Sequence, residues 1–143
     1  MTEKYFLDRD ALPTIPVPHD CVIDKITLEN NFLVFTFEQD ISHHDSIQYI
    51  KPDAESLVIK YHLIDDFRLY EWQLPIKGFA EKGCFRCINN EKLSELTESV
   101  KKTEYIGHFV AYKSMIIDLC AERSVRLEID ADYVEYIWKL NER

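Results

Sequence analysis

The clearest signal in the chain is a two-residue alternation near its C-terminal end. Val125, Leu127, Ile129, Ala131 and Tyr133 alternate with Arg126, Glu128, Asp130 and Asp132. Successive side chains of a strand point to opposite faces, so this spacing predicts a half-buried strand with a wet, acidic outer face. Met115 to Ala121 can pair with it through a turn near Glu122-Arg123-Ser124. Further upstream, Cys21 to Glu29 and Phe32 to Glu38 flank Asn30-Asn31. Asparagine tolerates the positive φ of a tight turn, so the two runs predict a β-hairpin. In its second arm Leu33, Phe35 and Phe37 share one face, while Phe32, Val34 and Thr36 share the other. Two largely apolar faces predict a central strand covered on both sides. Ser56 to Ile64 alternates again, and Phe67 to Leu74 reads as another strand after a turn at Asp65-Asp66, with Tyr70, Trp72 and Leu74 on one face.

One segment reads clearly as helix. Over 89–102, Leu93, Leu96 and Val100 fall at i, i+3 and i+7, Asn90 is placed to cap the start, and Lys101 and Lys102 suit the negative end of the dipole. Residues 40–55 are polar and irregular. The stretches 105–121 and 133–140 fit either periodicity, and in the first Gly107 with its β-branched and aromatic neighbours favours strand. The fold expected is mainly β, an antiparallel sheet or sandwich of about seven or eight strands with one helix near 90–102. The alternative is α+β, if either ambiguous stretch is helical. The chain reads as one domain over 1–143. Its first 18 residues form an extended lead-in, because Ala11 to Pro18 hold three of the five prolines.

Composition narrows the function. With 143 residues, the chain can bury roughly two thirds of its unfolded surface and needs no disulfide or metal to fold. Its 17 Lys+Arg against 26 Asp+Glu give a net charge of -9, which argues against general affinity for nucleic acid. Gly78, Gly83 and Gly107 are too far apart to build a glycine-rich phosphate loop. The start, Met1 to Asp8, lacks the basic-then-apolar pattern of an export signal, and no apolar run reaches the ~20 residues that span a bilayer. The expectation is a cytoplasmic protein, without a membrane partner, whose four cysteines stay reduced.

Several residues bear on chemistry. Cys84-Phe-Arg-Cys87 has dithiol spacing, but structural zinc sites need a second pair, and on a strand the two thiols face opposite ways. His43 and His44, within Asp40 to Asp45, offer imidazole and carboxylate donors. Adjacent histidines reach one ion only if a loop folds them together, so these four residues are metal candidates read first as loop and core positions. His19-Asp20-Cys21 resembles a piece of a cysteine-hydrolase site, yet on a strand the first and third side chains start ~7 Å apart. No H-E-x-x-H, G-x-S-x-G or EF-hand loop is present, and no catalytic residue or cofactor is assigned. The remaining signal is acidic: Glu128, Asp130 and Asp132 on the strand, and Glu91, Glu95 and Glu98 along the helix. Read plainly this is a solubilising surface; read functionally it is a docking face for a basic protein.

His19-Asp-Cys-Val-Ile23, followed by a strand–turn–strand and a β-rich remainder ending in Leu127-Glu-Ile-Asp-Ala-Asp-Tyr133, resembles small bacterial immunity proteins of polymorphic toxin systems or related uncharacterised domains that share this opening. The resemblance covers the first hairpin and the last strands. It implies a non-enzymatic, antitoxin-like protein that binds and blocks a basic partner, and no residue role carries over with it. The competing expectations are a small metal- or thiol-dependent enzyme or sensor, and a structural subunit of a homo-oligomer.

Overall fold

The first hairpin forms where the asparagines place it. In the computed structural model, which describes residues 1–74 and 83–141, β2 (Val22–Glu29) turns into β3 (Phe32–Phe37) through Asn30 and Asn31 at φ 48° and 67°. Two successive positive φ values match the right-handed twist of the flanking strands. Leu33, Phe35 and Phe37 point into the core, while on the other face Val34 is buried and Phe32 and Thr36 are half-buried.

The long alternation becomes a single strand, β9 (Ser124–Leu140), and organises everything else. Val125, Leu127, Ile129 and Ala131 are buried as expected, but the inward set then shifts to Val134, Tyr136 and Trp138. The cause is a bulge: His62 pairs with Tyr133 and Leu63 with Ala131, leaving Asp132 as the extra residue. An extra residue inverts the facing and bends the strand. Tyr133 is therefore outside, its ring stacked on His62 at 4.7 Å between centroids. The first half of β9 pairs with β8 (Ser114–Cys120) and β5 (Arg68–Gln73), and the second half with β1 (Thr2–Phe6) and β4 (Ala54–Leu63).

The pairings close on themselves. β4 joins β3, β3 joins β2, β2 joins β7 (Thr103–Ala111), β7 joins β8, β8 joins β9, and β9 returns to β4, all antiparallel. The ring gives a barrel with an apolar interior, closed only over a short stretch between β2 and β7. Outside the ring, β6 (Cys84–Ile88) extends β5. Among the described residues, nine strands lie in one antiparallel sheet with little helix, which is the mainly β fold expected. Both stretches that fitted either periodicity are strands. Among the described residues no helix is long and apolar enough to cross a membrane.

Several local expectations differ from the structure. Thr2–Phe6 is a strand rather than lead-in, pairing with residues 133–137. The proline-rich run behind it is held to β7 and β9, with the carbonyls of Ile15 and Pro16 accepting hydrogen bonds from His108 Nε2 and Tyr136 Oη. Asp65-Asp66 does not close a hairpin. β4 and β5 follow one another along the same edge of β9, at Ala131 and Glu128. On β5 the buried residue is Leu69, whereas Trp72 and Leu74 are exposed. Within 40–55, Asp45–Ile50 forms a short helix, α1, anchored by buried Ile47. The helix expected over 90–102 covers only Lys92–Glu95 (α2) and a 3-10 turn at Leu96–Glu98. Ser99 is already extended and Val100 fully exposed, so Leu93 and Leu96 alone carry the packing. Asn89 Oδ1, not Asn90, accepts the Glu91 amide; Asn90 Nδ2 instead donates to the Phe67 carbonyl at 2.6 Å.

α2 has a defined place because the ring is weakly closed at one seam. β2 and β7 pair only at Val22–Glu104 and Ile23–Thr103. Beyond that seam α2 and its 3-10 turn pack on β2, with Leu93 buried and the Thr103 hydroxyl donating to the Leu96 carbonyl.

Candidate functional site

The acidic strand face is largely paired from within. Arg68 on β5 lies opposite Glu128 and reaches both its carboxylate at 3.0 Å and that of Asp130 at 3.6 Å. His62 Nδ1 meets Asp132 at 2.6 Å, and Arg126 makes a two-pronged contact with Asp118 at 2.8 and 3.1 Å. Cross-strand cations offset the like-charge stacking that the spacing implied. The structure thus places Glu128, Asp130 and Asp132 on the strand as expected, and gives each a partner.

The helix acids diverge. Glu95 faces a hollow that also holds Lys92, Arg123, Glu71 and Glu122, a site of mixed charge. Glu98 lines neither this hollow nor the groove described next. Glu91 lies on the other side, over a groove of about 390 Å3 between the β2–β3 hairpin and α2. Its floor is Ile26, Leu33, Phe67 and Leu93, all buried, with Leu28 projecting and 61% exposed. The groove runs on past Leu28 and Phe67 to Asn31, Leu63 and Asp65. Among the described residues its charged members are Asp65, Asp66 and Glu91, and no described lysine, arginine or histidine lines it. Local chemistry fixes this geometry: Asn90 ties the start of α2 to Phe67, and Asp65 Oδ1 accepts the Asp66 amide at 2.8 Å. No protein-family model, curated protein or solved structure matches the chain. The groove and the remaining side-chain clusters therefore carry the functional argument.

Cys84 and Cys87 lie on β6, paired with Gln73 and Tyr70. At three-residue spacing on a strand they face opposite ways, and the two thiols are not brought together. Cys21 is buried, and burial, helped by the charges of Glu38 and Asp20, pushes its thiol up to about 12. It stays protonated at neutral pH, and a thiol is a weak nucleophile. His19 turns to the Ile106 carbonyl and to Asp20 instead.

A third grouping combines sequence candidates with a residue that sequence reading missed. His43 Nε2 and His44 Nε2 both point at Glu38 Oε1, at 3.2 and 3.0 Å. Their rings lie 4.1 Å apart between centroids. Glu38 follows the last residue of β3, so the pleat of the strand aims its carboxylate. Buried Ile41, whose amide donates to the Glu55 carbonyl, anchors the loop that returns the histidines to it. Neither Glu38 nor the rim acids Asp65 and Asp66 carries a spacing signal that would mark it in the sequence.

Proposed function

We propose that the protein is a non-enzymatic binding module that takes a basic, apolar-studded segment of a partner protein in the groove between the β2–β3 hairpin and α2. The observation that carries this reading is the composition of the groove: an apolar floor under a rim whose charges, among the described residues, are all negative. Apolar side chains of the partner would bury against Leu28, Leu33 and Phe67, while its lysines or arginines meet Asp65, Asp66 and Glu91. Burial supplies affinity, and complementary charge supplies steering and register. The overall charge of -9 adds long-range attraction for a cationic partner. Masking a basic protein surface is also what the resemblance to immunity proteins implies, and in this reading the groove is where it would take place.

The reading departs from the sequence expectation in one respect. Glu91 stays in the proposed site, while Glu128, Asp130 and Asp132 are assigned to holding the sheet together, since each already has a side-chain partner, Arg68 or His62. Fluorescence anisotropy with labelled peptides tests the proposal. A peptide alternating lysine and leucine should bind saturably, and its affinity should fall as salt rises. A peptide of equal charge without leucine should bind more weakly, and an acidic one not at all. Equal affinity for all three, or indifference to ionic strength, would count against the groove.

A further inference from the structure

We infer that Glu38, His43 and His44 form a transition-metal site, with zinc as the ion of choice. Zinc bonds to imidazole and carboxylate are about 2.0–2.2 Å long, which places donor atoms at the corners of a tetrahedron about 3.3–3.5 Å apart. The two imidazole nitrogens stand 3.2 and 3.0 Å from Glu38 Oε1, and all three donor atoms lie within 4.8 Å of one another. The two distances to Glu38 Oε1 are close to the edges of such a tetrahedron, so an ion can seat between the three donors after side-chain adjustment. Without an ion, the two lone pairs of one carboxylate oxygen can accept from both imidazoles; an ion between the three instead accepts a lone pair from each.

The surroundings suit a three-ligand centre. Glu38 and His44 are 18% and 16% exposed, which holds the donors in place, while His43 at 62% leaves a side open to solvent. A water would complete the tetrahedron there, the arrangement of zinc sites that keep one exchangeable position. Nitrogen donors select zinc, copper or nickel over magnesium and calcium, which favour oxygen. The site also has a structural consequence. It ties the loop before α1 to the end of β3, at the opposite end of that strand from the groove, so it stands independently of the binding reading.

The test uses the full chain, stripped with a chelator and titrated with Zn2+ against a chromophoric competitor. One site per chain is expected, with no matching Mg2+ site. His43→Ala, a change at an exposed position that leaves the fold intact, should weaken Zn2+ binding at least a hundredfold, and Glu38→Gln should act likewise. Cys84→Ser/Cys87→Ser should leave the site unchanged. Co2+ in place of Zn2+ should give the visible absorption of a tetrahedral centre, lost in His43→Ala. Absence of saturable Zn2+ binding would overturn the assignment. So would binding that survives His43→Ala or disappears in the cysteine variant.

Discussion

On the outer face of β9, Glu128 and Asp130 meet Arg68, and Asp132 meets His62. Around the groove, Asp65, Asp66 and Glu91 meet no cation among the described residues that line it. The first surface is the more conspicuous in sequence, because strict alternation lines its carboxylates up. The second is assembled from a turn and a helix start that lie far apart in the chain. The difference teaches that a count of charges does not measure charge available to a partner. A carboxylate that already holds an arginine must give up that contact to bind another, whereas an unpaired one beside an apolar floor need not.

Removing the wall of the groove should have the largest effect. Leu93 is the buried anchor of α2, and Leu93→Ala should cost about 2–5 kcal/mol of stability, read from urea unfolding. Peptide binding should fall with it, while the ion pairs of β9 remain. Next comes the rim. Asp66→Lys with Glu91→Lys should weaken a basic peptide at least about tenfold, or about 1.4 kcal/mol, with little change in the unfolding midpoint. Glu128→Gln with Asp130→Asn should do the reverse, sparing binding and touching stability. Smaller still is Arg68→Gln, which frees two strand carboxylates. Half-exposed ion pairs are worth up to about 1 kcal/mol, so the loss should stay within that and shrink in high salt. If this variant gained affinity for basic peptides through β9, the distinction between paired and free acids would be sharpened further.

A pH titration separates the interior from both surfaces. His108 Nε2 donates to the Ile15 carbonyl, and its Nδ1 accepts from the Tyr105 hydroxyl, which in turn lies 3.5 Å from that of Tyr61. Burial holds His108 below its ordinary pKa, opposed only in part by the Ile15 carbonyl. The unfolded chain then binds a proton more readily than the folded one. The stability this group contributes is complete above about pH 6.5 and is lost as pH falls through the lower folded value. Unfolding midpoints measured from pH 8 to pH 5 should drop more for the wild type than for His108→Gln.

Strand content was legible because burial imposes period two, and the asparagine turn because only a few residues accept positive φ. The bulge at Asp132 was not legible. Nothing at that residue forbids continued alternation, and only the shared pairing of β9 with four strands requires the bend. The shortened helix had the same cause: Leu93, Leu96 and Val100 keep helical spacing, but Thr103 must already be extended to start β7. For the candidate sites, Glu91, His43 and His44 stood out by type and spacing. Their partners Asp66, Phe67 and Glu38 are set by tertiary closure, which local patterns do not encode.

Amide chemical-shift mapping of the labelled protein with a lysine–leucine peptide tests the central claim most directly. The account predicts saturable shifts centred on Leu28, Phe67 and Ser94, with the residues around Glu128 and Asp130 unmoved. Shifts centred on the outer face of β9, with the groove silent, would contradict it.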